Sequence, residues 1–191
     1  MRKHDYLRSS CFLLLLSLLA GSITLLYYSG WRINTTASMP IGIWKLTPAK
    51  TYHTGQIVVI CPPDTPVFKL AKARYYLTRG LCPGGYEPLI KPIVAVAGDT
   101  VSITAEGMMV NQQLIPHSRP LAHDAQNRPL PQLRQGTYPV LPGTVWIIAT
   151  GNPGSFDGRY FGALPISQIQ GGAQPLWVKE SQKFEAVETI H

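Results

Sequence analysis

Hydrophobic and polar positions divide the chain into one long apolar run and a series of short ones. From Cys11 through Tyr28 the sequence reads CFLLLLSLLAGSITLLYY, and no charged residue occurs between Arg8 and Arg32. As a helix rising about 1.5 Å per residue this run covers about 27 Å, close to the hydrocarbon thickness of a bilayer. It predicts a single membrane span. The later runs are short, rich in β-branched residues and bounded by Gly, Pro, Asp or Asn: GQIVVIC (55–61), PIVAVAG (92–98), TVSIT (100–104), GMMVNQQLI (107–115) and GTVWIIAT (143–150). That pattern predicts strands. Residues 65–78 carry Val67, Leu70, Ala71 and Tyr75 at mixed spacing and predict one short helix ending near Gly80. Residues 116–139, rich in Pro, Gln, Arg and His, predict a long excursion over the surface. The expected class is mainly β: residues 1–10 as a cytoplasmic N-terminus, 11–30 as a transmembrane anchor and 31–191 as one β domain.

Composition and charge orient this layout. A chain of 191 residues accommodates one anchored domain with a real core, and no internal repeat divides it. Lys and Arg number 17 against 10 Asp and Glu, yet no basic run is long enough to track a nucleic-acid backbone. Nucleic acid is therefore not an expected partner, whereas a lipid bilayer is. Arg2, Lys3 and Arg8 precede the span and only Arg32 closely follows it. The positive-inside bias then keeps the N-terminus cytoplasmic and sends the domain to the periplasmic side of a bacterial inner membrane. Tyr27, Tyr28 and Trp31 would sit at the outer interface. The alternative is a cleaved signal peptide with its cut near Ala20 to Ser22, although the apolar run continues past those small residues.

In an oxidising compartment the cysteines change the picture slightly. Cys11 lies in the span, while Cys61 and Cys82 remain as one pair, each beside proline in ICPPD and LCPGG. A disulfide is the first reading. A metal site is the second, weakened because neither belongs to a CxxC and no histidine is near. Two merely buried thiols are the third.

Candidate chemistry emerges by elimination. The chain has no GxSxG elbow, no HExxH, no phosphate-cradling GxxxxGK[ST] and no GxGxxG after a strand, so no metal and no cofactor is expected. What remains is serine with lysine. Lys91 opens the apolar run KPIVAVAGD, with Ile90, Ile93 and Val94 close in sequence. A lysine held among aliphatic side chains loses hydration, its charged form becomes costly and its pKa falls. Such an amine can take the proton of a serine hydroxyl, and Ser38 is the serine just beyond the span.

Three segments then carry a resemblance. SMPIGIW (38–44) is similar to the nucleophile box of the type I signal peptidase family, and most closely of its conjugative-transfer, TraF-type branch, with one residue between serine and proline. KPIVAVAGD (91–99) is similar to the family's lysine box, and GNPGSFDGRYFG (151–162) to its last box. The resemblance implies a signal-peptidase-like β domain working as a serine endopeptidase with a Ser-Lys dyad. Ser38 would be the nucleophile and Lys91 the general base. Ser155 would hydrogen-bond the lysine amine, Asp157 would support the site, and Arg159 would pair with nearby acids. The Ser38 backbone N–H would hold the oxyanion together with the Thr36 hydroxyl, and Met39 would turn into an apolar floor. Implied partners are a membrane-inserted precursor, a pilin or secretory preprotein, and a conjugative secretion apparatus. Maturation of a pilin, with possible cyclisation, is the implied task. Removal of leaders from exported proteins and a catalytically silent scaffold are the alternatives.

The boxes also depart from the family pattern. Pro92 follows Lys91 where the family usually has Arg, and the last box is shortened, with Gly158 in place of a serine. Asp157 with Arg159 has a plain surface ion pair as its competing reading. His53, His117 and His123, with Asp124 beside the last, offer a Ser-His-Asp alternative without an orienting motif.

Overall fold

The computed structural model describes residues 2–179, with side chains from residue 8 onward. The apolar run forms helix α1 (Arg2–Tyr28), longer at its N-terminal end than the expected anchor. Its stretch Arg8–Tyr28 is long and apolar enough to cross a membrane, and no residue of its apolar window is buried by the rest of the chain. Gly30, at φ 91°, turns the chain out of the helix, and its carbonyl accepts the Leu46 N–H at 2.7 Å. Arg32 caps the helix: its Nη1 donates to the Tyr27 carbonyl at 2.9 Å and its guanidinium lies 4.2 Å from the Tyr27 ring centre. A cation at this end also complements the helix dipole. The anchor is thereby joined firmly to the first strand.

Beyond α1 the described chain is mainly β. In order it forms β1 (Trp31–Asn34), β2 (Gly42–Thr47), β3 (Ile57–Ile60), helix α2 (Pro66–Ala73), β4 (Arg79–Cys82), β5 (Leu89–Ala95), β6 (Thr100–Ile103), β7 (Met108–Val110) and β8 (Gln113–Leu114). Then follow β9 (Gly136–Pro139), β10 (Thr144–Ile147), a short helix α3 (Gly158–Phe161), β11 (Leu164–Pro165) and β12 (Ile169–Val178). Seven strands make one sheet in the order β1-β2-β12-β3-β5-β10-β11, and four make a second, β8-β7-β6-β9. Every pairing is antiparallel. The largest core cluster gathers Val58, Ile60, Phe68, Tyr86, Ile93, Ile147 and Phe156 among others.

Sequence and structure differ at particular places. The helix expected over 65–78 stops at Ala73, and Tyr75 follows at φ 62°. Its start is as the residues dictate: Thr65 in extended geometry, Pro66 in the first turn, and Phe68 and Ala71 facing the core. The single strand expected over 107–115 is two, because Asn111 and Gln112 take positive φ (49° and 68°) and fold the run into a hairpin. The excursion over 116–139 has no regular element before β9. Cys61 and Cys82 form a disulfide between the end of β3 and the end of β4, which removes the metal and free-thiol readings.

Candidate active site

The nucleophile segment is built around one amide. Asn34 ends β1 and is buried. Its Nδ2 donates to the carbonyls of Thr36 (3.0 Å), Met39 (2.9 Å) and Pro40 (3.1 Å), while its Oδ1 accepts from the Thr36 N–H (3.2 Å) and hydroxyl (2.9 Å). Trp44 fixes the far side, donating from Nε1 to the Pro40 carbonyl at 3.0 Å. Met39 turns inward against Trp44, Val59 and Ile90 as a floor. Ser38 is left half-buried at the turn, with its hydroxyl 3.2 Å from that of Thr36. An amide oxygen accepts only, so the Thr36 proton goes to Asn34 and Ser38 is the donor of the hydroxyl pair. Among the described residues no protein group accepts the Ser38 N–H. Asn34 escaped the sequence reading. Its signal was a short amide at a strand end, of the kind that bonds backbone two residues on.

Lys91 comes from β5, where strand alternation sets it on the same face as Leu89 and Ile93. Only 2% of its surface is exposed, and its Nζ donates to Ser155 Oγ at 3.0 Å. Burial pulls the amine down from its ordinary 10.5 to about 8; the Asp157 carboxylate opposes the fall and the Arg159 guanidinium assists it. Pro92 fits at this point because its carbonyl still accepts the Ile148 N–H, next to an irregularity in the β10 to β5 pairing.

Ser155, Asp157 and Arg159 hang from the loop after β10. The Asn152 side chain accepts the Gly154 N–H at 2.8 Å and its carbonyl accepts the Ser155 N–H at 3.0 Å, which shapes the turn that carries Ser155. Asp157 then caps α3 through the Arg159 N–H. The surface ion-pair reading fails, for the pair is fully buried: Arg159 Nε and Nη2 grip the carboxylate at 2.8 and 2.9 Å. Asp157 also accepts the Ala149 N–H at 3.0 Å, and Arg159 reaches the Ser155 carbonyl at 3.0 Å. The pair thus clamps β10 to the segment that bears Ser155. Gly158 has a local cause as well, since a Cβ there would sit 2.7 Å from the Ile147 carbonyl.

These segments meet along one cleft of about 140 Å³, lined by Asn34, Thr36, Ser38, Lys91, Asn152 and Ser155, with Tyr76, Leu77 and Thr78 as a wall. Ser38 and Lys91 share it without a hydrogen bond between them. Among the described residues no histidine lines it. His53 Nδ1 lies 3.0 Å from the Thr54 carbonyl, and the Asp124 carboxylate is taken up by Tyr76 and Arg128. The wall Tyr76–Thr78 lies inside the loop closed by Cys61–Cys82.

The family model described as signal peptidase, peptidase S26, matches residues 4–178. A plasmid transfer protein TraF from Escherichia coli is 40% identical over 152 residues, covering 80% of this chain and 84% of that one. A probable conjugal transfer protein TraF from Sinorhizobium fredii is 37% identical over 155 residues, 81% of this chain and 80% of that one. A crystal structure of a signal peptidase I from Enterococcus faecalis aligns with a TM-score of 0.35 at 17% identity, over 64% of this chain and 97% of that one. By the family match over residues 4–178 and the TraF relatives, the chain belongs to the signal peptidase family, peptidase S26, in its TraF-type conjugative-transfer branch.

Proposed function

We propose that this protein is a membrane-anchored serine endopeptidase in which Ser38 and Lys91 act as a dyad on a pilin precursor for conjugative transfer. The observation that carries the reading is a buried amine, titrating near 8, that faces the same cleft as a half-exposed serine about ten residues past a membrane-length helix. Neutral Lys91 accepts the Ser38 proton as Oγ attacks the scissile carbonyl. Ser38 first turns from Thr36 toward the amine across the cleft they share. Charge on the carbonyl oxygen falls to the free Ser38 N–H and to the Thr36 hydroxyl once its proton leaves Asn34. Ser155 orients the amine, and the Asp157–Arg159 clamp holds Ser155.

Substrate entry follows from the sheet. At Leu89–Lys91 the strand β5 pairs with β3, whereas its bonds on the other edge begin at Pro92, whose carbonyl accepts the Ile148 N–H just past β10. Its second edge is open toward the cleft for an extended peptide to add as a strand. The cleft is narrower than an ordinary ligand pocket, which favours small side chains beside the scissile bond. The anchor keeps Ser38 at the periplasmic membrane surface, where a membrane-inserted precursor presents its cleavage site. The plasmid and conjugal transfer names of the relatives support the conjugative task.

The acyl-enzyme on Ser38 is open to water or to an amine, and a tethered amine at the pilin's own N-terminus outcompetes bulk water where water is excluded. The test is co-expression with the pilin encoded nearby, followed by intact-mass measurement. Cyclisation gives a product one water lighter than the linear chain cut at the same bond. A linear product with a free amino terminus leaves a hydrolytic peptidase. An untouched pilin together with cleaved unrelated leaders leaves a general signal peptidase, and no processing of either leaves a scaffold.

A further inference from the structure

The cleft lining holds one basic side chain, Lys91, and one acidic side chain, Glu87. The mechanism above uses the first and leaves the second idle. Glu87 is half-buried just before β5, and its backbone is fixed by a hairpin with β4 that the disulfide ties to the end of β3. Its N–H donates to the Thr78 carbonyl at 3.0 Å, and its neighbour Tyr86 bridges Arg79. The carboxylate is oriented too, because the Thr78 hydroxyl donates to its Oε2. Thr78 itself lines the cleft.

What Glu87 lacks is a cation. Among the described residues Asp64 pairs with Lys69, Asp124 with Arg128 and Asp157 with Arg159, but no Lys, Arg or His reaches Glu87. Asp99 and Glu106 form no ion pair either, but Asp99 is taken up by the Val96 N–H and the Asn111 amide, and neither lines the cleft. The position of Glu87 adds a second point. Glu87, Pro88 and Ile90 line both the cleft and an adjoining apolar groove of about 450 Å³ that runs to Ile23, Leu26 and Tyr27 of α1. An unpaired carboxylate therefore stands where the apolar groove opens into the reactive cleft, and among the described residues it is the only acidic side chain along that lining.

We propose that Glu87 is a specificity-determining residue that receives a cationic nitrogen of the bound polypeptide. The inference rests on the Ser38 peptidase reading and names a substrate feature for it. The cation has two sources: a Lys or Arg side chain near the scissile bond, or the α-ammonium group of the chain end that resolves the acyl-enzyme. In the second case the ammonium docks on Glu87 and releases one proton to solvent. The neutral amine then forms the C–N bond as the ester C–Oγ bond breaks, and its second proton passes through Lys91 to Ser38 Oγ. The products are an amide and a free serine.

The test uses the full chain in detergent, with peptides in which one Lys is walked through the positions flanking the cleavage site, each beside its norleucine counterpart. A second pair of peptides carries a free or an acetylated amino terminus. Dissociation constants are measured in a Ser38→Ala background, so that binding is read without turnover, and KM and kcat are measured with Ser38 intact. The expected result is about fivefold tighter binding of one cationic peptide than its neutral partner, as for an ordinary partly exposed ion pair. Glu87→Gln, which keeps an acceptor for Thr78, abolishes that preference: a side-chain cation shows this as a raised KM for the cationic peptide alone, and an amino-terminal cation as a lower ratio of amide product to hydrolysed product. Added salt weakens the preference. Which pair responds identifies the source of the cation. Equal effects of Glu87→Gln on every cationic and neutral partner overturn the proposal. A Glu87-dependent preference without turnover of any peptide sinks the peptidase reading and leaves this one standing.

Discussion

Replacing Lys91 by Met should make the protein more stable at neutral pH while removing its activity. The reasoning starts from burial: the amine titrates near 8 in the fold against 10.5 when unperturbed. At about 1.4 kcal/mol per unit, holding the charged form inside costs roughly 3 kcal/mol at pH 7. Methionine has similar length and no charge. It forfeits the bond to Ser155 Oγ, and the stranded hydroxyl takes back roughly 1 kcal/mol. The net gain is about 2 kcal/mol, or about 4–8 °C in Tm for a domain of this size. The sign against pH is fixed. Between pH 8 and 10.5 the unfolded chain binds more protons at this position than the folded one, so wild-type stability rises through that window and the advantage of the variant fades. The assay is thermal unfolding of the detergent-solubilised chain, wild type and Lys91→Met, followed by near-UV circular dichroism from pH 6.5 to 10.5. A variant less stable than wild type at pH 7, by an amount independent of pH, would show that Lys91 is not a desolvated amine and would refute the reasoning.

Other perturbations test the framework around the amine. Asp157→Ala leaves the buried Arg159 guanidinium without its partner and should cost about 3–5 kcal/mol in denaturant unfolding, against at most about 1 kcal/mol for a surface pair. Cys61→Ala with Cys82→Ala opens the loop that carries Tyr76–Thr78, and should cost about 3 kcal/mol and raise KM more than it lowers kcat in steady-state peptide cleavage. Thr36→Val removes one proposed oxyanion donor and should lower kcat by about 10²–10³-fold with KM little changed.

How much of this was legible beforehand depended on what each element needed. β3, β5, β6 and β10 are recognisable because their buried faces demand runs of Val and Ile. β12 was not, since IQGGAQPLWV carries two glycines, a proline and two glutamines. Those glycines are packing requirements: a Cβ at Gly171 would lie 2.6 Å from the Thr47 carbonyl, and one at Gly172 would lie 2.6 Å from the Thr47 hydroxyl. Close approach of β12 to β2 thus demands the residue that propensity counts against a strand. β1 and β2 were hidden for another reason, because their apolar residues gain their meaning only when the two strands pair with each other and β2 with β12. The candidates Ser38, Lys91 and Ser155 were named through the resemblance of their boxes, and the fold brings all three to one cleft. The roles of Asn34 and Glu87 were not legible, because an amide that orders a turn and a carboxylate left unpaired are properties of the folded neighbourhood.

The most direct test of the Ser38–Lys91 dyad is the pH dependence of Ser38 acylation by a small neutral peptide ester, followed by intact mass. The account predicts a single adduct, localised to Ser38 by peptide mapping and absent in Ser38→Ala. Its rate should rise with pH through an apparent pKa near 8 and fall by about 10³-fold or more in Lys91→Met. An adduct on another residue, a profile that follows a histidine near about 6.5, or an undiminished rate in Lys91→Met would contradict it.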